Sequence, residues 1–185
     1  MAAGIAMSAN ICYITLSAFI LQNDYHLSPQ VYGWITVAIT SAAFVGKLIN
    51  TRLIRTFTPK GVLIISYSLI TFVGLVLAAA ICMHILSLEL LLICVFICTA
   101  VQNFIYSNAF VGAIKPFAQI KGSASALYGA WQYLVPAIAG SCIAIFINHG
   151  NSALASAYTI LGIIGFSSYY IFLYANKTNA LPLNH

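Results

Sequence analysis

The sequence predicts an all-α integral membrane protein with six transmembrane helices, and three observations predict it. Of 185 residues, 62% are hydrophobic and only nine are charged, seven Lys or Arg and two Asp or Glu. A soluble domain carries roughly 25% charged residues, and nine charges do not solvate a globule of this size. The charges are also spaced apart, leaving charge-free stretches at 1–23, 25–46, 61–88, 90–114 and 122–176, where a crossing helix needs ~20 apolar residues. Finally, no stretch alternates apolar with polar residues as the ~10-residue strands of a membrane barrel do. This composition excludes soluble enzymes, nucleic-acid binders and secreted disulfide scaffolds. The net charge of +5 comes from dispersed cations and makes no basic patch. The five cysteines, an odd number set mostly in apolar runs, read as small buried hydrophobes.

The first span, about 3–22, competes with a cleaved signal peptide. Met1-Ala2-Ala3-Gly4 has no basic leader, and the apolar run outlasts a typical signal core, so it reads as a helix that stays. The second, 31–51, follows Asp24 and ends at Arg52, Arg55 and Lys60, with Lys47 one turn inside and able to snorkel outward. The third, 61–83, stops before Glu89, and the fourth, 90–113, stops before Lys115. The fifth and sixth, 122–147 and 152–175, share one charge-free stretch that is too long for a single crossing. The polar turn Asn148-His149-Gly150-Asn151-Ser152 divides it. Pro136 lies mid-span in the fifth and is expected to kink it. Gly122, Ala126 and Ala130, with Ser125 and Gly129, form two stripes of small residues on the same span, and Gly162 and Gly165 do so on the sixth. Such stripes let helices approach closely where lipid supplies no hydrophobic drive. The chain reads as one six-helix domain, residues 1–185.

Orientation follows from the cations. With six spans, the termini share a side with the second and fourth loops. Arg52, Arg55, Lys60, Lys115, Lys121 and Lys177 all fall on that side, and Asp24 and Glu89 fall on the other. The positive-inside rule makes the basic side, and with it both termini, cytoplasmic.

Polar side chains within spans are the functional candidates, because hydrocarbon makes them costly unless they face protein or water. The first span offers Asn10, Tyr13 and Ser17. The fourth offers Gln102, Asn103, Tyr106 and Asn108, and the fifth offers Tyr128, Trp131, Gln132 and Tyr133. Tyr128 and Gln132 are four apart and share a face with Pro136. Rings with a few amides suit an amphipathic organic ligand, which takes broad apolar contact and a small number of orienting hydrogen bonds. The alternative for each is interhelical hydrogen bonding. Metal binding by Cys94 and Cys98 lacks further ligands. Transmembrane haem and an intramembrane protease both need a histidine at depth, whereas His26, His84 and His149 fall at span ends. No Asp or Glu lies at membrane depth, so no proton-relay carboxylate is present. The residues therefore indicate no enzyme, and no cofactor or metal.

Two segments carry a resemblance. Leu21-Gln22-Asn23-Asp24-Tyr25-His26-Leu27-Ser28-Pro29-Gln30-Val31-Tyr32-Gly33-Trp34, followed by Leu48-Ile49-Asn50-Thr51-Arg52-Leu53-Ile54-Arg55, resembles the Bcr/CflA-type drug-resistance transporters of the major facilitator superfamily. Lys121-Gly122-Ser123-Ala124-Ser125-Ala126-Leu127-Tyr128-Gly129-Ala130-Trp131-Gln132 resembles the start of that family's eleventh helix. The resemblance implies that the chain corresponds to the C-terminal half of a twelve-helix fold built of two six-helix halves. That half is expected from a split gene, a truncated gene or an expressed fragment. The implied activity is multidrug efflux by substrate:proton antiport in a bacterial inner membrane. The implied partner is an N-terminal half, which supplies the titrating group, or a second copy. The first, second, fourth and fifth spans would face the central cavity, with the third and sixth against lipid. Asn10, Tyr13, Asn103, Tyr106, Tyr128 and Gln132 would contact an amphipathic small molecule. Gly46, Asn50, Arg52 and Arg55 are similar to the superfamily's cytoplasmic loop motif, with Asn50 where an Asp is common; plain positive-inside anchoring is the other reading of these residues. A homodimeric passive facilitator and a non-transporting membrane subunit or degenerate gene product remain open alternatives.

Overall fold

A computed structural model describes residues 2–117 and 119–178, and the side chains of these except at positions 2, 59, 60, 116, 169 and 171–178. Lys60 and Lys177, read above as part of the basic side, therefore lie outside the described side chains. The described residues form six long helices and no strand. These are α1 (Ala2–Phe19), α2 (Pro29–Thr56), α3 (Pro59–Cys82), α4 (Leu88–Ile114), α5 (Lys121–Ala144) and α6 (Gly150–Thr178). A π-helical turn, Ile20–Asp24, extends α1. Short 3-10 turns at Lys115–Phe117 and Ile147–His149 follow α4 and precede α6.

The helix ends have local causes. Ser28, Thr58 and Ser87 each offer a side-chain oxygen to the backbone N–H three residues on, at 3.4, 3.2 and 3.2 Å. Pro29 and Pro59 follow two of these caps, at the one position where a missing N–H costs nothing. At the other end of α3, His84 takes a left-handed conformation (φ 54°). It donates its N–H to Ile81, and Ile85 donates to Ala80 at 3.0 Å, so the last carbonyls are satisfied. His26 (φ 52°) ends the π turn after α1 in the same way, with Leu27 N–H on the Leu21 carbonyl.

Six helices lie where six spans were expected, with one difference in extent. α2 runs to Thr56, so Arg52 and Arg55 sit on its exposed last turns and not in a loop. Crossing a bilayer is a stricter matter. Ala3–Asp24, Pro29–Thr56, Gly61–Cys82 and Leu88–Ile114 are each long and apolar enough, whereas α5 and α6 satisfy that criterion only as the pair Lys121–Ala144 and Ile147–Ser168, bent by 77° at the break between them. Tyr128, Trp131, Gln132 and Tyr133 dilute the hydropathy of α5; for α6 the criterion concerns only the described residues up to Ser168.

Packing is organised around two central helices. α1 packs on α4, α5 and α6; α4 packs on α1, α2 and α3; and α3 and α6 pack on each other. Exchanging α1 with α4, α2 with α5 and α3 with α6 carries this set of principal pairs onto itself. Glycines mark the close approaches. A Cβ at Gly46 would strike the Ala100 carbonyl where α2 meets α4, and one at Gly140 would come within 2.8 Å of Ile11 where α5 meets α1. Between α3 and α6 the fit is reciprocal: Gly74 faces the backbone nitrogen of Thr159 at 2.5 Å from its would-be Cβ, and Gly162 faces Thr71. Thr71-Phe72-Val73-Gly74 and Thr159-Ile160-Leu161-Gly162 are thus one pattern used twice. The same contacts fix direction. α1 runs with α5, α2 with α4, and α3 against α6. With the short turns between helices, this places Asp24 and Glu89 at one end of the bundle and Arg52, Arg55, Lys115 and Lys121 at the other, all exposed.

The small-residue stripes divide. Gly162 and Gly165 pack against Thr71 and Tyr67, as an association stripe should. Gly122 and Gly129 have nothing within 4 Å of a would-be Cβ. These two glycines of the α5 stripe are therefore not close-approach points within this chain.

Candidate functional site

A cavity of about 490 Å³ opens between α1, α2, α4 and α5, and every residue lining it comes from those four helices. Asn10, Tyr13, Asn103, Tyr106 and Gln132 are on its wall. Tyr128 is not. Although it sits one turn before Gln132, its ring packs edge-on against Phe110, with centroids 5.3 Å apart and planes at 77°. Its hydroxyl is buried without a hydrogen-bond partner.

Helical spacing aligns the polar wall. Asn10, Tyr13 and Ser17 recur at three and four residues on α1, and Thr99, Gln102, Asn103 and Tyr106 do so on α4. Sequence reasoning expected the second span at the cavity but named none of the α2 residues that line it. Tyr32, Thr36 and Thr40 line the cavity at intervals of four, a polar stripe in an otherwise apolar helix, and that spacing was the available signal. The threonine hydroxyls donate to carbonyls of their own helix, at 2.9 and 2.7 Å, which leaves oxygen lone pairs toward the cavity.

Much of the wall's hydrogen-bonding capacity is unused. Asn103 gives its amide N–H to the Thr99 carbonyl at 2.9 Å, so its own oxygen is free to accept. Gln102 donates to Met7 Sδ at 3.1 Å, a weak acceptor. Among the described residues the buried Tyr13 hydroxyl has no hydrogen-bond partner, and Gln132, only 7% exposed, makes no hydrogen bond. Ser17 and Tyr32 meet at 3.1 Å and link α1 to α2 across the cavity. A buried polar group without a partner costs about 1–3 kcal/mol, so this wall is suited to a guest that completes it. No Asp, Glu, Lys, Arg or His lines it.

The residues likened to a cytoplasmic loop motif do a different job from one another. Gly46 and Asn50 are buried on the face of α2 that meets α4, where Asn50 Oδ1 accepts from Asn108 Nδ2 at 2.8 Å. Asn108 also donates to the Phe104 carbonyl at 2.7 Å. Arg52 and Arg55 are exposed beyond this contact. The pair Asn50–Asn108 is a neutral amide clamp between two helices and not part of a charged relay.

The chain matches no protein-family model, no curated protein and no solved structure.

Proposed function

We propose that this six-helix unit is one half of a small-molecule transporter of the major facilitator type, related to the Bcr/CflA drug-efflux antiporters and working with a second six-helix half. The observation that carries the reading is the cavity wall: α1, α2, α4 and α5 supply all of it and α3 and α6 none, the division of labour that the resemblance implies. Three further features support it. The principal helix pairs map onto themselves when the first three helices are exchanged with the last three, as expected of a 3+3 inverted repeat within such a half. The directions that the contacts fix, α1 with α5, α2 with α4 and α3 against α6, are those that alternating crossings would give. The cations and acids fall at opposite ends, which supports a reading in which the basic end and both chain termini lie on the cytoplasmic side of a bacterial inner membrane.

The cavity suits an uncharged or amphipathic organic molecule, held by tyrosine rings and oriented by Asn10, Asn103 and Gln132. Its wall carries no carboxylate, so the coupling proton is handled by the second half. Alternating access then consists of the two halves rocking about the bound molecule. Drug-accumulation assays test this reading. Cells expressing only these 185 residues should accumulate drug like empty-vector cells, and co-expression of a matching N-terminal half should restore efflux. Efflux by the lone chain, driven by a pH gradient, overturns the proposal. The same lack of a carboxylate favours one rival, a homodimer that lets substrate flow downhill only; a crosslinked dimer with uncoupled flux supports it instead.

A further inference from the structure

A second cavity, separate from the polar one, lies where α5 and α6 splay apart over α1. It measures about 470 Å³ and is lined mostly by apolar side chains, among them Ala139, Ile160 and Leu161, with Cys12 of α1 also on its wall. One end is polar, bordered by His149 and Ser152 at the turn between the two helices. Phe146 and Ile160 on its rim are 53% and 55% exposed, so it opens sideways, away from the bundle.

Its length is informative. From Gly150 at the start of α6 to Leu161 is eleven helical steps, about 16 Å at 1.5 Å per residue. The hydrocarbon core of a bilayer is ~30 Å thick, so the cavity runs from the level of the interface to the middle of the membrane. It is one leaflet deep, with hydroxyl and imidazole groups where a lipid's ester and headgroup region lies and aliphatic side chains where its tail lies. We infer that the α5–α6 cleft is a lipid site that takes one acyl chain from the non-cytoplasmic leaflet. The chain fills the wedge that the 77° break leaves open between α5 and α6, and so supports α5, which carries Gln132 on its opposite stretch. This inference rests on the membrane placement and not on the transport activity.

Photocrosslinking tests it. The full chain is reconstituted in vesicles of phosphatidylethanolamine and phosphatidylglycerol containing a trace of a phospholipid with a diazirine near one acyl terminus. Adducts are mapped by mass spectrometry after illumination. They should concentrate on residues 139–161, about tenfold over the equally exposed outer face of α2 at Phe44 and Leu48, a ratio that corresponds to about 1.4 kcal/mol of preference. Ser156→Phe and Cys142→Phe, both at exposed cavity positions, should each reduce this enrichment to the level of α2 while circular dichroism and thermal unfolding stay unchanged. Even labelling of both faces, or enrichment that survives both substitutions, overturns the lipid site and leaves the transport reading standing. An absence of adducts anywhere on the chain overturns the membrane placement and the lipid site together.

Discussion

Single residues decide how closely these helices approach. Thr71 and Gly74 on α3 meet Gly162 and Thr159 on α6, so each glycine makes room for the other helix's threonine. The expected consequence is specific. Gly162→Ala should destabilise the protein by about 1–3 kcal/mol, the usual cost of forcing a methyl into a packed seam. Gly122→Ala, where nothing lies within 4 Å, should be neutral or slightly stabilising, since alanine gains up to about 1 kcal/mol in helix propensity. Thermal unfolding in detergent separates the two, and equal Tm values for both variants would sink the account of the seam. Before the structure, both glycines looked like members of association stripes. The spacing was legible, but whether a partner sits opposite is not encoded in the spacing. The Asn50–Asn108 contact shows the same limit, because two amides 58 residues apart carry no local sign that they will meet.

Helices are the scale at which the sequence was most legible. Charge-free length, with the polar turn at 148–152 dividing the last stretch, located all six, and the Ser28-Pro29 and Thr58-Pro59 pairs that start α2 and α3 were there to be read as well, because capping chemistry is local. Two things escaped. α2 continues past its apolar stretch to Thr56, since Arg52 and Arg55 are good helix formers and their charges are exposed. The stops after α1 and α3 use His26 and His84 in left-handed conformations, positions that usually go to glycine. An L-residue there costs roughly 1–2 kcal/mol. His84→Gly is therefore expected to raise stability by about 0.5–1 kcal/mol, part of the relief being offset by glycine's greater freedom in the unfolded chain. Denaturant titration monitored by circular dichroism checks the sign, and a loss of stability would mean that the imidazole makes a contribution of its own.

For the whole molecule, the arrangement of helices creates a polar cavity that no helix possesses alone. Asn10, Tyr13, Asn103, Tyr106 and Gln132 come from three helices, and α2 adds its Tyr32, Thr36 and Thr40 stripe. If these groups hold substrate in an assembled transporter, Gln132→Ala and Tyr13→Phe should each raise the apparent KM for efflux by about threefold to tenfold, the value of one or two lost hydrogen bonds. Tyr128→Phe, off the cavity wall, should leave KM unchanged. Initial-rate measurements at matched expression distinguish these outcomes, and a Tyr128 effect as large as that of Gln132 would remove the cavity from the mechanism.

The sequence by itself determined the solvent, the helices and the polarity of the two ends. These follow from hydropathy, capping and charge, which act over one turn or one span and need no knowledge of neighbours. Only the tertiary structure decided which glycines are seams, that Tyr128 turns away to Phe110, which α2 residues line the cavity wall, and that α5 and α6 part to leave a second, apolar cleft. Those outcomes depend on which faces meet across tens of residues of chain. Where lipid offers no hydrophobic drive between helices, close packing and a few interhelical hydrogen bonds make that choice.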